Sequence, residues 1–264
     1  MCGIAGYSLS QSSSVDRTLA AQSLLAGIAE RGADAVGYAH RRPGGPAEVH
    51  KQRTGASELL ERVRVPAEAI EALVHVRDYT KGHPSIAANN HPVRHGAVIG
   101  IHNGIIVNDD EIFEHHGFAR AAPEMTVDSE AIFALAEASG NRADALEELF
   151  GAMATAWVDE RRPGLVFLAR GVGRPLWIGR GHRETFFAST KLALETVERF
   201  AEISLQKREI PEGTMVALAD GRVAWSERFR PDDSFVEEDA LPPVRTPHEG
   251  EHCLKRLASL VAAA

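Results

Sequence analysis

The chain has 264 residues, 44% hydrophobic and 25% charged, which is typical of a globular enzyme with one large or two small domains. Its net charge of -8 argues against a general nucleic-acid or anionic-membrane binder, and no apolar stretch suggests a membrane span or signal peptide. The two cysteines are too few for a disulfide framework and favour a reducing cytoplasm, and the absence of a zinc motif predicts no metal.

The first part of the chain mixes short strands with helices. Apolar runs predict strands over 3–8, over ALVHVR up to Arg77, and over AVIGIHNG, the last ending in a turn. A hairpin around RPGG is expected to join strands 35–41 and 46–51. Helices are predicted over 15–30, in pieces over 57–70, from Asn108 with Glu111 in a capping-box-like pattern, and over 127–138 and 141–150. The stretch DYTKGHPSIAANNHP is predicted to be a loop.

From residue 151 the pattern changes to strands. They are predicted over 152–158, 164–169, 174–178, 184–187, 202–207, 213–218 and 222–227, with a helix over 190–200. Because the strands form two blocks with helices between and beside them, we expect stacked sheets with helical layers outside. Residues 229–248 are acidic and Pro-rich and predict a linker. Residues 249–264 predict an amphipathic helix that packs on its own domain or on a partner, with Cys253 as a core residue.

The opening stretch MCGIAGY places Cys2 directly after the initiator Met1. A thiol is a good nucleophile only as thiolate, and an N-terminal amine with a pKa of about 7.7–8.0 can accept its proton. If Met1 is removed, Cys2 carries the nucleophile and the base on one residue. The alternative is that Cys2 is a small core residue of the first strand.

Polar residues at the ends of other strands fit the same chemistry. Attack on a carboxamide creates an oxyanion, which the Asn103 side-chain amide and the Gly104 N–H can stabilise, although N-G is also a common turn. Arg77 can bind a substrate carboxylate bidentately, or be a surface residue at a strand end. Asp128 in TVDSE can hold an ammonium group, or belong to a helix N-terminus.

Eight segments, in this order, resemble the class II glutamine amidotransferases, the N-terminal-nucleophile type, and most closely the glutaminase half of glucosamine-6-phosphate synthase. They are MCGIAGY, RGADAVGY, HVRDYTKGHP, NNHPV, IHNGIIVN, VDSE, GRPLWIG and FFAST. The resemblance covers roughly residues 1–227, so we expect residues 1–228 to form a glutamine amidotransferase domain.

The resemblance implies an α+β fold, a four-layer αββα sandwich of two stacked, mainly antiparallel sheets, which agrees with the two strand blocks. It implies that Cys2 attacks the side-chain amide of L-glutamine, with its free amine as base and no cofactor. A γ-glutamyl thioester forms and is hydrolysed. Asn103 and Gly104 match the oxyanion hole of the family.

The same resemblance implies the substrate-binding residues. Arg77 and Thr80 match the positions that bind the α-carboxylate, and Asp128 matches the position that holds the α-ammonium group. Arg31 matches a residue near the nucleophile and is given a supporting role. His91 matches a motif position with a structural role.

The chain departs from the family in a mobile loop that closes over glutamine, the lid. Asp78 and Tyr79 stand where the close branch has an aromatic residue and then Ala, and Lys81 stands where it has His before the glycine, here Gly82. An acid beside Arg77 is expected to weaken glutamine binding unless Lys81 or another cation offsets it.

Two-domain relatives continue into a sugar-isomerase domain that accepts the ammonia, whereas this chain stops after EHCLKRLASLVAAA. The leading hypothesis is therefore a stand-alone glutaminase, or an ammonia-supplying subunit whose acceptor site lies on a separate synthase chain. One alternative is a hydrolase of another γ-glutamyl amide with an altered lid. The other is a catalytically weak regulatory or scaffold domain that binds a synthase partner. No nucleic-acid or membrane partner is expected.

Overall fold

Two β-sheets lie face to face in the computed structural model, which describes residues 2–237 and 242–263. The first sheet has the spatial order β11 (Gln206–Glu209), β9 (Trp177–Arg180), β10 (Glu184–Ala188), β1 (Gly3–Leu9), β4 (Glu71–Arg77), β2 (Ala35–Arg41) and β3 (Ala47–Gln52). The second has the order β13 (Arg222–Arg228), β12 (Thr214–Ala219), β8 (Val166–Arg170), β7 (Gly151–Asp159), β6 (Val98–Ile106) and β5 (Val93–His95). Neighbouring strands in both sheets pair antiparallel.

Helices cover the outer face of each sheet. The first sheet carries α1 (Arg17–Ile28), α2 (Ala56–Leu60), α5 (Lys191–Ala201) and α6 (Pro247–Ala262), and the second carries α3 (Asp109–His116) and α4 (Glu130–Ser139). Short 3-10 turns lie at Ala29–Arg31, Ala87–Asn89 and Ala143–Glu148. The predicted α+β, four-layer αββα sandwich of stacked antiparallel sheets is confirmed.

Side chains alternate between the two faces of each strand, and this alternation sorts the core into three layers. In β1, Ile4 packs between the sheets while Tyr7 packs under the helices. In β4, Leu73 faces the second sheet, and in β6 Ile101 faces the first. Because every second side chain of a strand lies on the same face, Arg77 at the end of β4 is also expected to point between the sheets. The same holds for Asn103 and Ile105 in β6.

Several element boundaries differ from the sequence prediction. The turn predicted at Asn103 and Gly104 is wrong, because β6 continues to Ile106 and pairs with β7 throughout. The predicted helical pieces over 57–70 reduce to α2, and β11 starts at Gln206 rather than at 202. The capping box at Asn108 is also wrong. Its side-chain amide instead bonds the Glu148 carbonyl and the Phe150 N–H, where β7 begins.

The C-terminal part of the chain packs on the body of the domain. Residue Phe229 of the predicted linker is buried against the second sheet, and Glu237 forms an ion pair with Arg174 at 2.7 Å. The predicted helix begins at Pro247 rather than at 249. Residues 238–241 of the predicted linker and residue 264 lie outside the described residues, and the division into domain, linker and helix stays a prediction. In the described ranges, no helix combines the length and apolarity that a membrane crossing needs.

Helix α6 is anchored by apolar side chains, and this generates a stability prediction. Leu257 is fully buried among α1 and α2, whereas Val261 is 38% exposed. We expect Leu257→Ala to lower the free energy of unfolding by about 2–4 kcal/mol, because it leaves a cavity. Val261→Ala on the same helix should cost less than about 0.5 kcal/mol. Chemical denaturation of the two variants measures the difference, and equal effects would show that α6 is not packed on its own domain.

Candidate active site

Strand pairing brings the first cysteine and an arginine to the same end of the sandwich. Gly3 pairs with Val76 in the β1–β4 register, so Cys2 and Arg77 are the next residues outward on the two neighbouring strands. Side chains two residues apart on a strand share a face, so Cys2 is expected on the same face as Ile4, and Arg77 on the same face as Leu73. Both faces point between the sheets. The sequence prediction that these residues act together is therefore supported by the register.

The Cys2 thiol lies in a half-buried position and donates to the Asp78 carbonyl, with a sulfur–oxygen distance of 3.4 Å. Burial raises the pKa of this thiol, and the positive charge of Arg77 opposes the rise. The thiol therefore needs a base before it can attack. The buried histidines nearby are poor bases, because burial lowers the pKa of His75 and His102 to about 3.

Arg31 supports the start of β1. It ends the 3-10 turn after α1, is buried, and donates from Nε to the Cys2 carbonyl at 3.4 Å. Two glycines permit this approach. A Cβ on Gly3 would lie 3.1 Å from the Arg31 Cγ, and a Cβ on Gly32 would lie 2.5 Å from the Arg77 carbonyl carbon. The supporting role predicted for Arg31 has a geometric basis here.

Asn103 is a fully buried carboxamide whose nitrogen and oxygen both lack a hydrogen-bond partner within the described part of the chain. It follows Ile99 and Ile101 on the inner face of β6. Buried polar side chains are nearly always hydrogen-bonded, so an unpaired one calls for a ligand or a strained function. The adjacent Gly104 has φ +150°, and an added Cβ would meet the Ala152 carbonyl oxygen at 1.9 Å, so only glycine fits.

A contact between His75 and His102 connects the strand that carries Arg77 to the second sheet. His75, two residues before Arg77 on the inner face of β4, contacts the His102 carbonyl at 3.1 Å through Nε2. His102 directly precedes Asn103, so this contact brings the candidate oxyanion donors toward the nucleophile end of the first sheet. His75 also stacks on His91, with ring centroids 4.2 Å apart. His91 is buried and precedes a cis proline, and its structural role stays a prediction.

Arg77 is buried and holds the loop that follows it. Its guanidinium donates to the Asn90 side-chain oxygen at 2.6 Å and to the carbonyls of Lys81, at 2.9 Å, and Gly82. Charge interactions connect Arg77 to both Cys2 and Asp128. The lid is thus folded around the group expected to bind a carboxylate.

Asp128 is 3% exposed and does not cap α4. Its Oδ2 accepts the backbone N–H of Ile106 at 2.7 Å, at the end of β6, so the carboxylate is fixed to the second sheet. Burial raises its pKa to about 6, while the Ile106 N–H and the charge of Arg77 favour the ionised form. A buried carboxylate without a full countercharge can bind a cationic ligand group.

The lid residues have separate partners. Lys81 does not offset Asp78, because its ammonium bonds Asp109 at 2.6 Å and Asp110 at 3.0 Å. A cation that does face Asp78 is Arg245, from the segment before α6, with Nε and Oδ2 3.2 Å apart.

Of the three further lid residues, two lie on the surface and one packs inward. Tyr79 and Thr80 are exposed, and the Tyr79 ring lies edge-on to His83. Gly82 has φ +79°, and a Cβ there would lie 2.9 Å from the Val127 Cα, so the lid packs closely against the residue before Asp128. The carboxylate-binding role predicted for Thr80 stays a prediction.

Sequence reasoning missed three structural contributors. Asn90 fixes the Arg77 guanidinium, and Asn89 accepts the N–H groups of Thr126 and Val127 at 2.8 and 3.1 Å, which ties the lid loop to Asp128. Both lie in the NNHPV segment that carries the resemblance, so the signal was present. Arg245 had no such signal, because its segment matches no motif.

Two side-chain groups outside this site have metal-ligand chemistry. His40, Glu48 and His50 lie on the β2–β3 hairpin, whereas His115 and His116 end α3 and Glu148 ends the 3-10 turn Ala143–Glu148. The first group shares its cavity with Arg62 and Arg64, whose charges oppose a cation, and the second is exposed. Neither group includes a predicted site residue.

Comparisons with known proteins point to the same family as the sequence motifs. The family model described as glutamine amidotransferase domain matches residues 79–196. Glutamine–fructose-6-phosphate aminotransferase (isomerizing) of Salmonella typhi is 33% identical over 236 residues, covering 81% of this chain and 36% of the relative. The enzyme of that name from Haemophilus influenzae is 31% identical over 234 residues, covering 81% and 35%. The chain thus spans about a third of the length of these curated relatives.

Two solved structures share the fold. The glutamine phosphoribosylpyrophosphate amidotransferase from B. subtilis, complexed with ADP and GMP, superposes with a TM-score of 0.67 at 21% identity, covering 86% of this chain and 49% of that one. A structure described as the allosteric regulatory enzyme of purine biosynthesis gives a TM-score of 0.68 at 21% identity, with the same coverage. At this identity the likeness establishes the fold alone.

The raised pKa of Asp128 predicts a pH-dependent stability. A carboxyl that is harder to ionise when folded stabilises the protein below its unfolded pKa of about 3.9, and this contribution is lost as pH rises through about 6. We therefore expect Asp128→Asn to be about 1–2 kcal/mol more stable than the parent at pH 7.5, and no more stable near pH 4. Chemical denaturation at the two pH values measures this, and a gain that is equal at both would contradict it.

Proposed function

The chain belongs to the class II glutamine amidotransferases, the N-terminal-nucleophile type, and we propose that it hydrolyses L-glutamine to L-glutamate and ammonia through a γ-glutamyl thioester on Cys2. The observation that carries this proposal is the fully buried Asn103 carboxamide, whose polar atoms have no partner in the described part of the chain. It lies beside a glycine whose backbone only glycine can adopt. An oxyanion would supply the missing acceptor for the Asn103 amide.

The proposed reaction starts with the removal of Met1, which lies outside the described residues and whose loss stays a prediction. The freed α-amine of Cys2 takes the thiol proton, and the sulfur attacks the side-chain carbonyl carbon of glutamine. The resulting oxyanion accepts from Asn103 Nδ2 and from the Gly104 N–H. When the tetrahedral intermediate collapses, the amine returns the proton to the leaving nitrogen and ammonia departs. Water then attacks the thioester, which releases glutamate and restores the thiol.

Substrate recognition is proposed to use opposite charges fixed on the two sheets. Guanidinium N–H groups of Arg77 that the lid carbonyls leave available would bind the α-carboxylate, with Thr80 completing that contact from the lid. The Asp128 carboxylate would accept the α-ammonium group. Because an ammonium ligand favours the ionised carboxyl, glutamine binding should lower the raised pKa of Asp128.

The ammonia acceptor is proposed to lie on a separate synthase subunit, with the stand-alone glutaminase as the other form of the same proposal. The curated relatives are named for transfer to fructose 6-phosphate, and this chain spans about a third of their length. The cytoplasmic location also stays a prediction. A second candidate substrate, another γ-glutamyl amide, is favoured by one observation, the acid at position 78, which directly follows Arg77 in the chain.

The oxyanion role of Asn103 predicts a separation between activity and stability. Asn103→Ala removes the proposed donor but no existing hydrogen bond, so we expect kcat for glutamine to fall by about 10²–10³-fold. The free energy of unfolding should change by less than about 1 kcal/mol, because no side-chain hydrogen bond is lost. Ammonia release and chemical denaturation are the two measurements. An unchanged kcat would remove Asn103 from the mechanism.

The nucleophile role predicts complete loss of turnover in Cys2→Ala, with the fold retained. Ammonia should be released from glutamine and not from asparagine, and a glutamine-like electrophile should label Cys2 once per chain. Intact mass of the natively produced protein should lack Met1. Turnover close to the parent in Cys2→Ala, or retention of Met1 in active protein, would contradict the mechanism. Faster hydrolysis of another γ-glutamyl amide would instead favour the second candidate substrate.

A further inference from the structure

The segment of residues 245–262, here called the C-terminal arm, packs against the elements that carry the proposed nucleophile. The Arg245 and Thr246 N–H groups both donate to the Glu30 carbonyl at 2.9 Å, and the Thr246 hydroxyl donates to the Ala29 carbonyl at 3.2 Å. These acceptors lie in the 3-10 turn that ends at Arg31, which itself donates to the Cys2 carbonyl. The start of the arm therefore lies against the same turn that supports Cys2.

Helix α6 fixes this segment in place. Its Cys253 and Leu257 side chains are fully buried, and Glu249 accepts the Ser57 N–H at 2.6 Å. Gly250 allows close contact, since a Cβ there would lie 2.9 Å from the Glu30 Cβ. The guanidinium of Arg245 is thus presented from a docked element.

Asp78 connects the arm to the reactive thiol. Its carboxylate faces Arg245, with Nε and Oδ2 3.2 Å apart, and its carbonyl accepts the Cys2 thiol. The backbone on either side is held independently, because the Asp34 N–H donates to the Arg77 carbonyl and the Asp34 carboxylate accepts the Tyr79 N–H, both at 2.9 Å. The Asp78 backbone is therefore fixed without Arg245, and what Arg245 adds is a positive charge that faces the Asp78 carboxylate.

We propose that Arg245 is a positioning residue of the active site, which orients the Asp78 carboxylate and offsets its charge beside Arg77 and Cys2. A negative charge on the residue after Arg77 opposes the approach of a substrate carboxylate to that guanidinium, and it disfavours a thiolate on Cys2. The ion pair is partly shielded from solvent, with side-chain exposures of 34% for Arg245 and 15% for Asp78, so salt screens it less than it would a fully exposed pair. This inference rests on the proposed glutaminase function for its kinetic consequence.

The kinetic test compares Arg245→Ala, Arg245→Lys, Asp78→Asn and the Asp78→Asn/Arg245→Ala double variant. We expect Arg245→Ala to raise KM for glutamine about two- to fivefold, the range of partly exposed ion pairs, with kcat within about twofold. Arg245→Lys should retain most of the parent KM. The double variant should return toward the KM of Asp78→Asn alone, because the charge that needs offsetting is gone.

A second readout does not require turnover, and so separates failure of this proposal from failure of the proposed function. The rate of Cys2 alkylation by iodoacetamide is followed against pH, with the modified peptide identified by mass. Burial raises the pKa of Cys253 to about 12, so it reacts slowly. We expect Arg245→Ala to slow Cys2 alkylation about two- to fivefold at pH 7 and to shift the profile upward, and the double variant to remove the shift. The charged groups around the thiol that the profile reflects are the α-amine at the start of the chain and the side chains of Arg31, Asp34, Arg77, Asp78, Asp128 and Arg245.

Arg256→Ala is the matched control. Arg256 lies on α6, in the same C-terminal arm, and donates to the Ser57 carbonyl at 2.6 Å, but it contacts Glu61 rather than the lid. It should leave KM and the alkylation profile unchanged. The proposal is overturned if Arg245→Ala behaves like the parent in both assays, if Arg256→Ala shows the same changes, or if the double variant stays as impaired as Arg245→Ala.

Discussion

The antiparallel pairing of β1 with β4 is the constraint on which the active site depends. It sets Gly3 against Val76, and so makes Cys2 and Arg77 the next residues at one end of the sheet. A shift of β1 by one residue would turn the Cys2 side chain toward the helical layer, away from the second sheet and from the face that carries Arg77. Gly3 helps to enforce the register, because its missing side chain leaves room for Val76, Ile28 and Arg31.

A second constraint is electrostatic, since the site buries charges that the body of the domain satisfies only in part. Arg77 bonds Asn90 and lid carbonyls, while Asp128 accepts the backbone N–H groups of Ile106 and Ser129 and has a raised pKa. Such groups cost stability in the empty protein. A zwitterionic amino acid would present an anion to the first and a cation to the second. The arrangement would thus select a ligand by its charge pattern, whereas the buried Asn103 amide, which has no partner in the described part of the chain, is proposed to bind the reacting carbonyl.

Much of the fold and most site residues could be predicted from the sequence, because strand alternation and ordered motifs are local signals. The layer arrangement followed from two blocks of strands, and Cys2, Arg77, Asn103 and Asp128 all stand in recognisable segments. The turn predicted at Asn103 failed because the N-G pattern does not reveal that β7 continues the pairing across Gly104. The prediction that Lys81 offsets Asp78 failed, because Asp109 and Asp110 come close to Lys81 only when α3 is packed in the folded chain.

Asp78 shows why the effect of an active-site departure depends on distant chain. Considered beside Arg77 alone, the acid should weaken carboxylate binding and oppose thiolate formation. In the folded protein its carboxylate faces Arg245. Arg245 is held there because Thr246 and α6 pack on the 3-10 turn that ends at Arg31. The local departure and the C-terminal arm therefore form one unit, because the arm supplies a positive charge at the place where the lid has gained a negative one. A change in how α6 packs would then alter the charge near the Cys2 thiol through Asp78, without altering any residue proposed to contact substrate.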